Sequence, residues 1–214
     1  MTAIAAPLTT PAAHRPVWQT LGGGGLLLAG ALLLVATLLE YPLLASPGDR
    51  GPTFWPFVAA FALSLLAYAA AVFPLAFGSR GSDGIVGRSV VGKAALVAFG
   101  FLWLAMQLVY LLAHYFTAAD SDFAAVNVAT TVLMVLTYLA VIVAGVSIIR
   151  ARIATGFARW SLLVLMVVAG VCGAIANAVD SVEVLTVAYS LSCVAQLLVG
   201  VSYLAQRRPA AGGA

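Results

Sequence analysis

Six long apolar stretches, separated by short polar segments, dominate the chain. They cover approximately residues 21–44, 54–77, 93–117, 124–149, 158–178 and 183–205. Each stretch reaches or approaches the length of about 20 apolar residues that an α-helix needs to cross a bilayer. Strands of a membrane β-barrel are shorter, about 10 residues, and they alternate in polarity, which these stretches do not. The pattern therefore predicts an all-α, polytopic membrane protein with six transmembrane helices in three successive hairpins.

The polar segments predict where these helices begin and end. The loop before the second stretch is rich in proline and glycine, which fits a helix start near Thr53–Pro56. Pro42 is expected to end or kink the first helix. Ser181 is expected to cap the sixth helix, with Glu183 in its first turn. We expect a disordered tail over residues 1–17, a six-helix domain over 18–206 and a second disordered tail over 207–214.

The charged residues predict how the helices are oriented. If the stretches cross the membrane in alternation, nine of the ten basic residues face one side, and Arg50 alone faces the other. Six of the seven acidic residues fall on the side of Arg50, and Asp83 is the exception. Short loops rich in Lys and Arg stay in the cytoplasm. Both termini are therefore predicted to be cytoplasmic. The excess of arginine over lysine and the abundant alanine suggest a GC-rich bacterial genome, and hence a bacterial cytoplasmic membrane.

Composition agrees with a protein whose main partner is the lipid bilayer. Hydrophobic residues make up 64% of the chain and charged residues 8%, whereas soluble domains carry about 25% charged residues. The net charge of +3 comes from residues spread over the predicted loop ends, where they can meet anionic lipid headgroups. We therefore expect no nucleic-acid partner.

Uncharged polar residues form candidate faces on several predicted helices. On the third helix Gln107, Tyr110 and His114 follow helical spacing. Folding about the turn near residue 120 brings His114 level with Asn127 and Gln107 roughly level with Thr131 on the fourth helix. Asn177 ends the fifth helix at a similar height. The candidate polar pocket in the outer leaflet half therefore consists of Gln107, Tyr110, His114, Asn127, Thr131 and Asn177.

The same residues have a simpler interpretation as packing contacts. Hydrogen bonds between membrane helices contribute only about 0.6 kcal/mol each on average. Glu40 and Asp180 are acidic candidates near the predicted outer interface, where charge costs little, so simple interfacial placement is favoured for both. A carboxylate truly inside the membrane would reverse that preference and favour proton or cation binding.

No pattern in the chain predicts catalysis. The motifs H-E-x-x-H and G-x-S-x-G do not occur in the sequence, and they mark zinc and serine hydrolases. A single histidine in the predicted membrane region cannot supply two haem ligands. We therefore expect no catalytic residue, no metal site and no cofactor. A membrane enzyme that acts on lipid remains the weakest of the alternatives.

One short segment resembles a known family. The residues Tyr41-Pro42-Leu43, followed by Gly51-Pro52-Thr53-Phe54-Trp55-Pro56 and an apolar helix, are similar to the first hairpin of TctB. TctB is the small membrane subunit of tripartite tricarboxylate transporters. The resemblance covers residues 41–66. The chain departs from the family in two ways: six helices are predicted where the family usually has four, and the proline-containing C-terminal ending of the family is not found. The resemblance implies an accessory subunit beside a larger transport subunit, working with a periplasmic-type binding protein.

Two functions therefore remain open besides the enzyme. The first is an accessory or scaffold subunit of a transport or cell-envelope complex, with a larger permease subunit or a second copy of this chain as its partner. The second is a small autonomous solute transporter or solute-binding membrane protein that uses the polar pocket. A structure in which those polar side chains pack without a cavity would count against the second function.

Overall fold

A computed structural model describes residue 16 and residues 18–46, 51–78, 84–116 and 123–206, without the side chains of residues 123, 124 and 177. Nearly all of the two predicted tails, residues 1–17 and 207–214, lies outside these ranges. In the described ranges the chain forms α-helices and two short helical turns, with no strand. The helices are α1 Gly23–Ala45, α2 Phe54–Phe77, α3 Val90–Tyr115, α4 Phe123–Ala151, α5 Ser161–Ala178 and α6 Val182–Leu204. A π-helical turn, Trp18–Gly22, precedes α1, and a 3₁₀ turn, Gly156–Arg159, precedes α5.

The all-α architecture with apolar helices is confirmed. The described residues contain five helices that are long and apolar enough to cross a membrane, and α5 is a shorter apolar helix. At 1.5 Å per residue, its 18 residues extend about 27 Å, slightly less than a hydrocarbon core of about 30 Å. The chain is therefore a multi-pass membrane protein by the length and composition of its helices. Its orientation in the membrane stays a prediction.

Local chemistry explains several helix ends. The Ser89 side chain accepts a hydrogen bond from the Gly92 amide (3.0 Å) and so caps α3. The Ser181 side chain accepts from the Val184 amide (3.4 Å), which confirms the predicted cap of α6. Pro42 lies inside α1, which continues past it to Ala45.

The six helices form a ring in chain order. Within the described ranges each helix packs against the helix before and after it, and α6 packs back against α1. The contacts of α1 with α2 and α6, and of α3 with α4, are extensive, whereas the contact between α4 and α5 is the thinnest. We call the end where α1 begins and α6 ends the inner end, because the sequence predicts it to be cytoplasmic. The opposite end is the outer end.

Glycine allows α1 and α6 to approach closely. A Cβ atom at Gly200 would lie 2.6 Å from the Leu27 amide nitrogen, and one at Gly30 would lie 3.2 Å from the Leu197 nitrogen. Small residues commonly permit such backbone approach between membrane helices. Side chains on the far side of α6 are exposed in a stripe that suits contact with lipid. This stripe consists of Val187, Leu191, Val194, Leu198 and Val201.

The apolar core differs between the two ends of the molecule. Towards the inner end, side chains from all six helices surround a central void of about 20 Å³, among them Leu26, Tyr68 and Tyr203. Towards the outer end the core divides into two clusters. One joins α1, α2 and α3 around Phe57, and the other joins α5 and α6 around Cys172. The molecule is therefore tightly closed at its inner half and divided at its outer half.

Candidate functional site around Glu40

Glu40 is a carboxylate inside the protein near the outer end of α1. It is 5% exposed and lies five residues before Ala45, the last residue of α1. That separation is about 8 Å along the helix axis. Since the apolar segment Trp18–Ala45 is 28 residues long, about 42 Å, Glu40 lies close to the outer boundary of a hydrocarbon layer about 30 Å thick.

Two tyrosines of α3 hold this carboxylate. The hydroxyl of Tyr110 donates to Glu40 Oε1 at 2.5 Å, and the hydroxyl of Tyr115 donates to the same oxygen at 2.6 Å. Distances of about 2.5–2.7 Å are typical of hydroxyl groups bonded to a carboxylate, which are roughly twice as strong as neutral hydrogen bonds. In the described chain, α1 and α3 are not neighbours in the ring. The tyrosines therefore join two helices that α2 separates.

Phenylalanines of α2 fix the tyrosine rings. The ring centroid of Phe57 lies 5.0 Å from that of Tyr115, and the centroid of Phe61 lies 6.5 Å from that of Tyr110. Phe57 is fully buried. These aromatic contacts hold the tyrosine rings in place, so the position of the two hydroxyl groups does not depend on Glu40 alone.

The titratable side chains around Glu40 belong to α3 and α6. His114 on α3 and Tyr189 on α6 lie within electrostatic reach of the carboxylate. His114 is exposed, and its Nδ1 atom lies 3.0 Å from the Tyr110 carbonyl oxygen. Among the residues that the structure describes, no Lys or Arg forms an ion pair with Glu40. The described part of the site therefore offers hydroxyl groups and, at its rim, one histidine.

Further polar groups lie inward of Glu40, between α1 and α6. The Thr37 hydroxyl oxygen lies 3.8 Å from Cys193 Sγ, and both side chains are buried. Gln196, one turn further inward on α6, is 6% exposed, and its amide nitrogen has no hydrogen-bond partner among the described residues. A buried amide without a partner is costly, so this nitrogen is an uncompensated polar group between α1 and α6.

The outer half of α4 is only partly covered. Its less exposed side chains follow a single helical stripe, Val126, Thr130, Leu133 and Thr137, whereas most of the others are exposed. The close contacts between α4 and α5 lie further inward. There, a Cβ at Gly170 would be 3.0 Å from the Tyr138 hydroxyl, and a Cβ at Gly145 would be 2.5 Å from Leu163 Cδ2. Towards the outer end, most side chains of α4 are therefore exposed.

The predicted site residues separate into two groups. Tyr110 bonds Glu40 directly and His114 lies beside it, while Gln107 is half-buried one turn further inward on α3. Asn127 and Thr131 are exposed on α4, where the Thr131 hydroxyl donates to the Asn127 carbonyl at 2.8 Å.

Two other predicted residues lie at the end of α5. Asp180 is exposed just beyond this helix. Asn177 lies within α5, and its side chain is outside the described part of the structure. Asp180 is not among the groups that act on the Glu40 carboxylate.

The sequence-based candidate pocket did not include Tyr115, Tyr189 or the phenylalanines of α2. Tyr115 directly follows His114, at the same predicted helix end as the polar face. This position could have added Tyr115 to the candidate pocket. Nothing in the sequence pairs α1 with α3 across α2. No protein-family model, no curated protein and no solved structure matches the chain.

Proposed function

We propose that this protein is a non-enzymatic membrane protein of solute transport that binds a proton or a small monovalent cation at Glu40. The observation that supports the proposal is a carboxylate at 5% exposure that receives two tyrosine hydroxyl groups without an ion pair among the described residues. Ionisable residues inside membrane segments are rare and usually mark pathways for ions, protons or substrates.

The surroundings of Glu40 fit exchange of such a cation. A buried charge needs either a partner or a proton, because its removal from water costs several kcal/mol. Two hydroxyl groups compensate for part of this cost but bring no positive charge. A proton or a cation would complete the neutralisation, and His114 at the exposed rim offers a route for protons from the outer side. The buried amide of Gln196, which has no hydrogen-bond partner among the described residues, adds a polar group inward of Glu40.

Infrared difference spectroscopy of the purified protein at acid and alkaline pH tests the proposal. We expect the C=O band of a protonated carboxyl group in a dry environment, and Glu40→Gln should remove this band. Glu183→Gln is the matched control, since Glu183 is exposed in the first turn of α6. Addition of Na⁺ or methylammonium should diminish the band if a cation replaces the proton. A folded Glu40→Gln variant with an unchanged spectrum would contradict the proposal. Glu40 would then have only a structural role, through its hydrogen bonds to the two tyrosines.

A second candidate function is an accessory subunit beside a larger membrane protein. It is supported by the exposed polar residues Asn127 and Thr131 on the outer half of α4, since Asn and Thr side chains are frequent at contacts between membrane helices. The segment that resembles TctB, residues 41–66, also includes the start of α2, which packs against the tyrosines of α3.

Purification from native membranes in mild detergent separates the two functions. An accessory subunit should bring down one larger polytopic protein in stoichiometric amount. Asn127→Leu with Thr131→Leu should abolish this association, while Leu191→Ala on the exposed stripe of α6 should leave it intact. A stable, isolated monomer that still shows the Glu40 band would favour the autonomous protein.

A further inference from the structure

A second candidate site lies at the inner end of the molecule, whereas Glu40 lies at the outer end. An open groove of about 810 Å³ lies between residues 86–91 and the last turns of α4. We call it the Arg88–Arg150 groove. Its polar and apolar lining includes Arg88, Ser89, Val143, Val146, Ser147 and Arg150. The volume is within the range of about 300–1,000 Å³ that is usual for small-molecule sites.

The lining of α4 changes from apolar to charged towards the inner end. Val143 and Val146 come first, Ser147 follows, and Arg150 lies in the last turn of the helix. From Val143 to Arg150 the helix rises about 10 Å. An amphipathic lipid has the same order along the membrane normal: acyl chain, glycerol esters and phosphate.

The backbone holds Arg88 in its position on the other wall. The Ile85 amide donates to the Leu75 carbonyl at 2.8 Å, and the side chains of Ile85 and Val86 are fully buried. On its other side, Ser89 caps α3. Arg88 therefore extends from a short segment that is anchored at both ends, and it does not belong to a loose loop.

The electrostatics of the groove favour an anion. Arg88 and Arg150 are both exposed, and in the described part of the chain neither forms an ion pair. The described lining contains no acidic side chain. Carbonyl groups at the end of α4 would repel a phosphate, but the Arg159 guanidinium donates to the Ile149 carbonyl at 3.0 Å. This contact adds a third cation near the same helix end.

We propose that the Arg88–Arg150 groove binds one anionic glycerophospholipid, with its phosphate between the two arginines and its acyl chains along Val143 and Val146. Basic pockets between membrane helices on the cytoplasmic side are suited to anionic lipid headgroups. A soluble phosphate would leave the apolar wall uncovered, which is why the lipid is the occupant we infer. This site is independent of cation binding at Glu40.

Lipid binding by the full chain in detergent tests the proposal. Native mass spectrometry and thermal unfolding should show tighter binding of phosphatidylglycerol than of phosphatidylcholine. Since each surface arginine favours anionic lipid by roughly fivefold, Arg88→Gln with Arg150→Gln should weaken phosphatidylglycerol binding by about 25-fold. The matched control is Arg152→Gln, because Arg152 is exposed near Arg150 but does not line the groove.

Two further arms distinguish the sources of binding. Val146→Trp fills the apolar wall and should lower lipid binding while both arginines remain. Glycerol 3-phosphate, which has the phosphate without acyl chains, should stabilise the protein far less than phosphatidylglycerol does. Equal stabilisation by glycerol 3-phosphate would overturn the proposal. So would an unchanged lipid preference in the double variant, or an equal loss in the Arg152→Gln control.

Discussion

Glu40 shows how two hydroxyl groups from a distant helix can hold a carboxylate inside a membrane protein. The sequence marked Glu40 as an acidic candidate and Tyr110 as part of a polar face. It did not pair them, because the contact crosses from α1 to α3 past the intervening α2. The rotation of each helix about its axis depends on packing with all its neighbours, and helical spacing within one segment carries no information about that rotation.

The strength of the tyrosine contacts distinguishes a charged site from ordinary packing. Tyr110→Phe should lower the free energy of unfolding by about 1.5–3 kcal/mol if the carboxylate is charged. An ordinary hydrogen bond between membrane helices would give about 0.6 kcal/mol. Unfolding in mixed micelles with increasing SDS measures the difference. Tyr41→Phe is the control, since Tyr41 is adjacent in sequence to Glu40 but 39% exposed, and it should have little effect.

At the scale of the element, apolar length predicted the helices well because lipid imposes a minimum length on each span. The second helix was predicted over 54–77 and is Phe54–Phe77. The α3 helix begins at Val90, before the predicted start near residue 93, because Ser89 supplies a cap that the apolar pattern does not contain. The contact between α6 and α1 was not predicted. A glycine indicates that another helix can approach closely, but it does not identify which helix that is.

Two glycines at the inner end give opposite expectations for that contact. A Cβ at Gly200 would lie 2.6 Å from the backbone of Leu27, whereas one at Gly24 would meet nothing within 4 Å. Gly200→Ala should therefore destabilise the protein by about 1–3 kcal/mol through overpacking. Gly24→Ala should be neutral or stabilise it by up to about 1 kcal/mol through helix propensity. Thermal unfolding in detergent compares the variants, and equal effects at both positions would contradict the close contact.

At the scale of the whole molecule, the remaining prediction is orientation, which follows from the sign of the charges in the loops. The two native cysteines are free and buried, which provides a low background for labelling. Ser46 is exposed at the outer end and Val90 is 78% exposed at the inner end. These two positions report opposite sides of the membrane.

In intact cells, a membrane-impermeant maleimide should label Ser46→Cys and leave Val90→Cys unmodified until the cells are opened. This outcome follows from the positive-inside rule, because most basic residues are predicted to lie at the same end of the molecule as Val90. Labelling of both variants after lysis shows that each cysteine is reactive. The reverse pattern in intact cells would mean that the chain is inserted the other way round.

The ring closed by Gly200 against Leu27 also sets an order for biogenesis. The ribosome makes α1 before α6, so α1 enters the bilayer before one of the two helices that it packs against most extensively. The Gln19 amide likewise donates to the carbonyl groups of Leu204 and Gln206 at the far end of the chain. A nascent protein stalled before α6 would present the glycine face of α1 to lipid, where chaperones and membrane proteases recognise incomplete products.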